Sequence, residues 1–116
     1  MSPTVDVEHW EGCYDKGWKG LIVDAAFAHP AKMSRALVAR IFDELFVLGA
    51  LKRGDCVIDP FGGIGTTGIE ASSRGVLAVM CELEPKFVDL ARQNAELHRR
   101  DWEAMGLPVF EVVHGD

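Results

Sequence analysis

The sequence predicts an α/β fold, a parallel sheet with flanking helices, and three observations predict it. Two short apolar runs, one at Val57-Ile58 and one from Val76 to Cys81, each stop at an acid, as buried strands do at a sheet edge. A glycine-rich segment, Gly62-Gly63-Ile64-Gly65, follows the first run and leads into a helical stretch. Helix-period segments then alternate with extended ones in the order βαβαβ with short links, which gives parallel strands and right-handed crossovers.

At 116 residues the chain has room for one small domain and one core. With 48% apolar and 26% charged residues it is composed like a globular protein, which excludes a disordered chain. No apolar run reaches the length of a membrane span, and the first residues lack the basic and apolar regions of a signal peptide. The three cysteines, Cys13, Cys56 and Cys81, form no CxxC pair. A disulfide framework and a zinc site are therefore disfavoured, no metal is expected, and a reducing cytoplasm fits. A net charge of −6 argues against an autonomous basic-patch binder of nucleic acid, so any grip on DNA must come largely from elsewhere.

Residues 1–28 read as an irregular arm. Trp10, Tyr14 and Trp18 lie among glycines and acids without a sustained period, and Leu21-Ile22-Val23 suggests a short strand. These aromatics either pack the arm on the core or line a ligand pocket, and packing is the commoner use. His29-Pro30-Ala31-Lys32-Met33-Ser34 is a turn, with Ser34 placed to cap a helix reaching about Leu48. Leu37, Ile41, Leu45 and Leu48 form its apolar stripe, and Gly49 is suited to the C′ position. A polar turn with solvated Lys52 and Arg53 leads into the first strand. Pro60 ends that strand, because proline cannot donate to a central ladder. Thr66 or Thr67 can cap the next helix, which Gly75 closes.

The second strand, continuously apolar to Cys81, has the pattern of a parallel strand covered on both faces. Pro85 starts a long helix to about Met105, with Phe87, Leu90, Ala91, Ala95 and Leu97 on its inner face. A third strand, from Val109 to Val113, ends in His114-Gly115-Asp116. Asp59, Glu82 and Asp116 thus fall one at the end of each strand, where ligands of open parallel sheets bind.

Gly63 to Gly68 matches GxGxxG, with Glu82 near the distance of a ribose-binding acid, so an NAD(P) site must be weighed. Asp59 and Asp116 oppose it, since acids at that lip repel pyrophosphate. They suit instead the ammonium and sulfonium of S-adenosylmethionine (SAM). The absence of GKS or GKT excludes a Walker-type nucleotide loop. The residues favour SAM and leave NAD(P) as the alternative.

Asp59-Pro60-Phe61-Gly62-Gly63-Ile64-Gly65-Thr66-Thr67 resembles the DPFxGxGTT form of motif I in the DNA amino-methyltransferases, which methylate adenine N6 or cytosine N4. Cys81-Glu82-Leu83-Glu84-Pro85-Lys86-Phe87-Val88-Asp89-Leu90-Ala91 is similar to motif II of that family, and His29-Pro30-Ala31-Lys32-Met33-Ser34 to its motif X. The resemblance implies a partial, Rossmann-like SAM-dependent methyltransferase fold over residues 29–116, including the start of motif III. It implies that Asp59 and the backbone of Phe61, Gly62, Gly63 and Gly65, with Thr66, face the methionine part of SAM. It implies further that Glu82 holds the ribose hydroxyls, Leu83 packs on the adenine, Asp116 accepts from the adenine amino group, and His29 and Lys32 close over the methionine end. Plainer roles stay open: Glu82 as a surface acid, His29 as a turn residue, Lys32 as a solvated charge.

No catalytic residue is expected in this chain. The family's (D/N/S)PP(Y/F/W) tetrapeptide holds the target amine and stacks on the flipped base, yet Pro3, Pro30, Pro60, Pro85 and Pro108 are never adjacent. There is also no Pro-Cys nucleophile of a cytosine-C5 enzyme. The expected partners are therefore a catalytic half or complementing subunit, with double-stranded DNA reached through the complete enzyme and no membrane. A truncated frame, a split subunit and a degenerate regulatory copy are all compatible with this reading.

Overall fold

The structure, a computed structural model, describes Ile22, Val23, Ala26 and residues 35–115. Six elements follow in order: α1 (Arg35–Val47), β1 (Cys56–Asp59), α2 (Thr66–Ser73), β2 (Leu77–Glu82), α3 (Pro85–Ala104) and β3 (Glu111–His114). The strands form one parallel sheet in the order β1-β2-β3. The expected βαβαβ arrangement is therefore present, preceded by one helix.

Each helix is stopped by the same device. Gly49, Gly75 and Gly106 take positive φ after α1, α2 and α3, and the amide beyond each reaches back to a carbonyl of the last turn. Ala50 N donates to Leu45 O, Val76 N to Ala71 O and Leu107 N to Trp102 O, which satisfies carbonyls the helix leaves open. Pro85 stands at the start of α3, where its missing N–H costs nothing.

The register sorts the sheet into two unlike faces. Ala78 and Met80 of β2 are fully buried beneath the helices, with Ile64, Ile69, Leu90 and Phe110 in the same core. Helices α1, α2 and α3 stand side by side on this face, α2 touching both of the others. The opposite face carries Ile58 paired with Val79, and Val113 two residues beyond Val79's partner Glu111, and among the described residues nothing covers it: Ile58 is 73% exposed and Val113 47%. The expectation that the second strand is covered on both faces fails here, because all three helices lie on one side.

Three further expectations need correction. The apolar stripe of α1 is not Leu37, Ile41, Leu45 and Leu48; the buried residues are Ala36, Val38, Ala39 and Phe42, while Ile41 and Leu48 are exposed. The helix is apolar nearly all round, so periodicity left its phase open. Two alanines on the contact face admit close approach to α2, and Arg35 then meets an acid there. On α3, Leu97 is half exposed, and the inner line runs through Val88, Leu90, Ala91, Asn94, Ala95 and Trp102. Ile22 is a bend and Val23 irregular, so neither extends as a strand, although Ile22 and Ala26 are buried in the core.

Candidate functional site

The carboxyl end of the sheet is stitched together by its own backbone. Beyond β1 the chain crosses toward β2, where Gly62 N donates to Cys81 O at 2.9 Å, and beyond β3 Gly115 N donates to Glu82 O at 3.0 Å. The ends of all three strands and the glycine loop thus form one surface, as the positions of the acids predicted.

Asp59 is the organising side chain of the loop. Its Oδ1 accepts from Phe61 N at 2.9 Å, and its Oδ2 accepts from the Thr67 hydroxyl at 2.6 Å. The first bond turns the chain out of the strand, and the second ties that turn to the first turn of α2. Each carboxylate oxygen keeps a further lone pair for a ligand. The expected threonine cap is not formed. Gly65 occupies the N-cap position in a left-handed conformation (φ 103°) without a side-chain cap, so the Thr67 hydroxyl is available to Asp59. Thr66, expected at the ligand, is 5% exposed and packs inward. Thr67 was missed as a site residue, although its place eight residues after the acid in DPFxGxGTT was the available signal.

Two glycines have identifiable reasons, one steric and one conformational. A Cβ at Gly62 would lie 2.8 Å from Met80 Cβ, so only a glycine can cross over β2 here. At Gly63 (φ 54°) the space a Cβ would fill is empty, which leaves its backbone open to an approaching ligand. Glu82 stands at the end of β2 with Oε2 accepting from Leu83 N at 3.0 Å. Leu83, the next residue, is 65% exposed, and Phe61 at the end of the neighbouring strand is 85% exposed. His114 Nε2 lies 2.9 Å from Leu83 O and fixes that strand end. Asp59, Phe61, Gly62, Gly63, Gly65, Glu82 and Leu83 therefore share one edge, whereas His29, Lys32 and Asp116 lie outside the described residues. A groove of about 550 Å³ between α3 and β3, lined by Arg92, Arg99 and Phe110, contains none of the predicted site residues. Among the described residues no cluster of His, Cys, Asp or Glu could hold a metal ion, and no helix is long and apolar enough to cross a membrane.

Behind the loop helix sits an ion-pair network that composition did not reveal. The Glu70 side chain, 4% exposed, meets Arg35 Nε at 2.9 Å and Arg74 Nη1 at 2.7 Å. Arg74 also reaches Asp43 and the Ala39 carbonyl and lies over the Phe42 ring. Burial pulls the Arg74 pKa down, but hydrogen bonds to Glu70 and Asp43 and their negative charges outweigh it and leave it raised. The network holds α1 against α2, the helix of the glycine loop.

A parallel α/β sheet with a glycine loop after its first strand and an acid after its second defines a nucleotide-type cofactor-binding fold. Comparison with known proteins narrows this class. The family model for DNA methylases matches residues 5–93. The chain is 34% identical over 95 residues to a type II methyltransferase, M2.DpnII, of Streptococcus pneumoniae, covering 82% of this chain and 28% of that protein. It is 31% identical over 90 residues to a tRNA (guanine(10)-N2)-dimethyltransferase of Methanothermobacter thermautotrophicus, covering 78% of this chain and 24% of that one. Among solved structures, MtNAS in complex with MTA and tNA is similar at 26% identity and TM-score 0.54, over 68% of this chain and 28% of that one. A hypothetical protein of Thermus thermophilus is similar at 33% identity and TM-score 0.54, over 76% and 44%. The chain belongs to the DNA methylase family. It spans about a quarter of the length of the two methyltransferases named here.

Proposed function

We propose that the chain is the SAM-binding part of a DNA methyltransferase acting on the exocyclic amine of adenine (N6) or cytosine (N4). The observation that carries this is the loop tied by Asp59, with Gly63 backbone accessible, Glu82 at the next strand end, and Phe61 and Leu83 exposed at the same sheet edge. That donor set fits SAM. Phe61 and Leu83 offer apolar surface to an adenine, Glu82 can accept from two ribose hydroxyls, and Asp59 can face an ammonium. The segment from Asp59 to Gly68 contains no lysine or arginine to neutralise a pyrophosphate. A point mutant of MtNAS, similar at 26% identity and TM-score 0.50, was solved in complex with S-adenosylmethionine, which supports the same ligand class.

When bound, SAM supplies an electrophilic methyl group on a sulfonium. The protein's part is to bind and orient. Asp59 and the loop backbone hold the methionine end, and Glu82 and Leu83 fix the adenosine. His29, Lys32 and Asp116 complete the enclosure in this reading. The catalytic tetrapeptide comes from a complementary half, which also brings double-stranded DNA. The uncovered sheet face with Ile58, Val79 and Val113 supports a partner of that kind, since exposed apolar patches on a sheet mark surfaces that another structure covers. Free Cys56 and Cys81 and a DNA substrate suit a cytoplasmic setting.

The test mixes the purified chain, labelled SAM and DNA, with and without a separately supplied (D/N/S)PP(Y/F/W)-bearing half. Transfer only with both supports the reading. Methylation of DNA by this chain alone would overturn the division of labour.

A further inference from the structure

Asn94 is a fully buried polar side chain in the middle of α3, away from the acids of the site. Both ends of its amide are used. Its Oδ1 accepts from Val23 N at 2.7 Å, and its Nδ2 donates to Ile64 O at 2.7 Å. Val23 lies outside any regular element and Ile64 lies in the glycine loop, so the side chain supplies partners that secondary structure does not. The orientation is dictated: an N–H must meet the amide oxygen, and a carbonyl must meet the amide nitrogen. Leucine could make neither bond, and an ionised aspartate would set an acceptor against the Ile64 carbonyl.

The two groups it joins belong to different parts of the chain. Ile64 sits between Gly63 (φ 54°) and Gly65 (φ 103°), the two loop positions with the most conformational freedom. Its carbonyl direction governs how the loop presents its backbone. Val23 precedes α1 in the chain and stands beside buried Ile22, with Ala26 buried three residues on. A single amide, 71 residues from one partner and 30 from the other, thus connects the segment around Val23 to the glycine loop.

We propose that Asn94 is a positioning residue that couples docking of the segment around Val23 to the cofactor-competent conformation of the glycine loop. The inference rests on the reading of that loop as the SAM site and adds a coupling to it. By linkage the effect is reciprocal: what steadies the loop steadies Val23, and what releases Val23 loosens the loop.

The test uses the full chain and Asn94→Asp. Burial raises the pKa of a carboxyl group, so lowering the pH restores a donor to Ile64 O while the other oxygen still accepts from Val23 N. At neutral pH the variant should bind S-adenosylhomocysteine about tenfold more weakly than wild type, a typical coupling factor. Near pH 5 it should return to within about twofold of wild type measured at the same pH. Hydrogen exchange without ligand should show the Val23, Gly62 and Gly65 amides, each hydrogen-bonded in wild type, all faster in the variant at neutral pH, recovering together on acidification. A merely structural defect would not tie these three amides to one protonation. If Asn94→Asp fails to fold at neutral pH, wild type decides: saturating S-adenosylhomocysteine should slow exchange at Val23. Wild-type affinity in the variant, or Val23 exchange indifferent to ligand in wild type, would overturn the coupling. Failure of wild type to bind the ligand would instead remove the SAM reading. The ligand-free exchange pattern would still confirm the coupling if the three amides respond together, and refute it if they do not.

Discussion

Gly68→Ala adds one methyl group where the fold has no room for it. The new Cβ would lie 2.4 Å from Phe110 Cγ, 2.6 Å from Cδ1 and 2.8 Å from Cβ. Because Phe110 Cβ is among the clashing atoms, rotating the ring cannot relieve the overlap, and the backbone of α2 or of the segment before β3 must move. Phe110 is 3% exposed and meets Trp102 edge-on at 5.8 Å between ring centroids, so the ring cannot retreat freely. Overpacking of this kind costs about 1–3 kcal/mol, and the upper end applies when a backbone shifts. Alanine returns up to about 1 kcal/mol of helix propensity. The net loss is about 2 kcal/mol, which for a domain of this size lowers Tm by roughly 8 °C. Thermal unfolding followed by circular dichroism measures it. In a Phe110→Ala background the two ring overlaps are gone and only the 2.8 Å contact with the Cβ remains, so the further cost of Gly68→Ala should there be clearly smaller than in wild type. An unchanged or raised Tm for the single variant would refute the packing argument.

Other outcomes follow from the site. Thr67→Val removes a hydroxyl that donates to a carboxylate and should cost about 1.5–3 kcal/mol of stability by urea unfolding, with weaker binding of S-adenosylhomocysteine. Glu82→Gln keeps the shape but loses an anionic double acceptor, and titration calorimetry should show binding weakened by about 1.5–3 kcal/mol. Glu70→Gln removes the charge that Arg35 and Arg74 share, while Arg74 keeps Asp43; since both side chains are about one-fifth exposed, the loss should fall to about 2–3 kcal/mol, below the fully buried range. A group with a raised folded-state pKa contributes fully below its unfolded value and is lost only above the folded one. The Arg74 contribution, raised from an already high value, should therefore be the same at pH 7 and pH 9.

The parts of the fold that were legible in sequence are those fixed by local chemistry. Gly49, Gly75 and Gly106 as helix stops, Pro85 as a helix start, and acids at strand ends each follow from one residue's backbone or charge. Residues whose role depends on what lies opposite were not legible. The phase of α1 depended on the small face it presents to α2 and on Glu70, a residue indistinguishable in sequence from a surface acid. Asn94 gave no periodic or motif signal, because its partners are two backbone groups far away in the chain. Thr67 was legible as a motif residue but not as the Asp59 partner, since the left-handed Gly65 at the N-cap decides which threonine faces the acid. The bare sheet face could not be read from β2 itself, whose apolar run is the same whether one face or two are covered.

The central claim is that the loop between Asp59 and Thr67, together with Glu82, holds SAM. Isothermal titration of the full chain with S-adenosylhomocysteine, with NAD as the competing ligand under identical conditions, tests it most directly. The account predicts saturable one-to-one heat with S-adenosylhomocysteine, reduced in Glu82→Gln, and none with NAD. Saturable binding of NAD without binding of S-adenosylhomocysteine would contradict it.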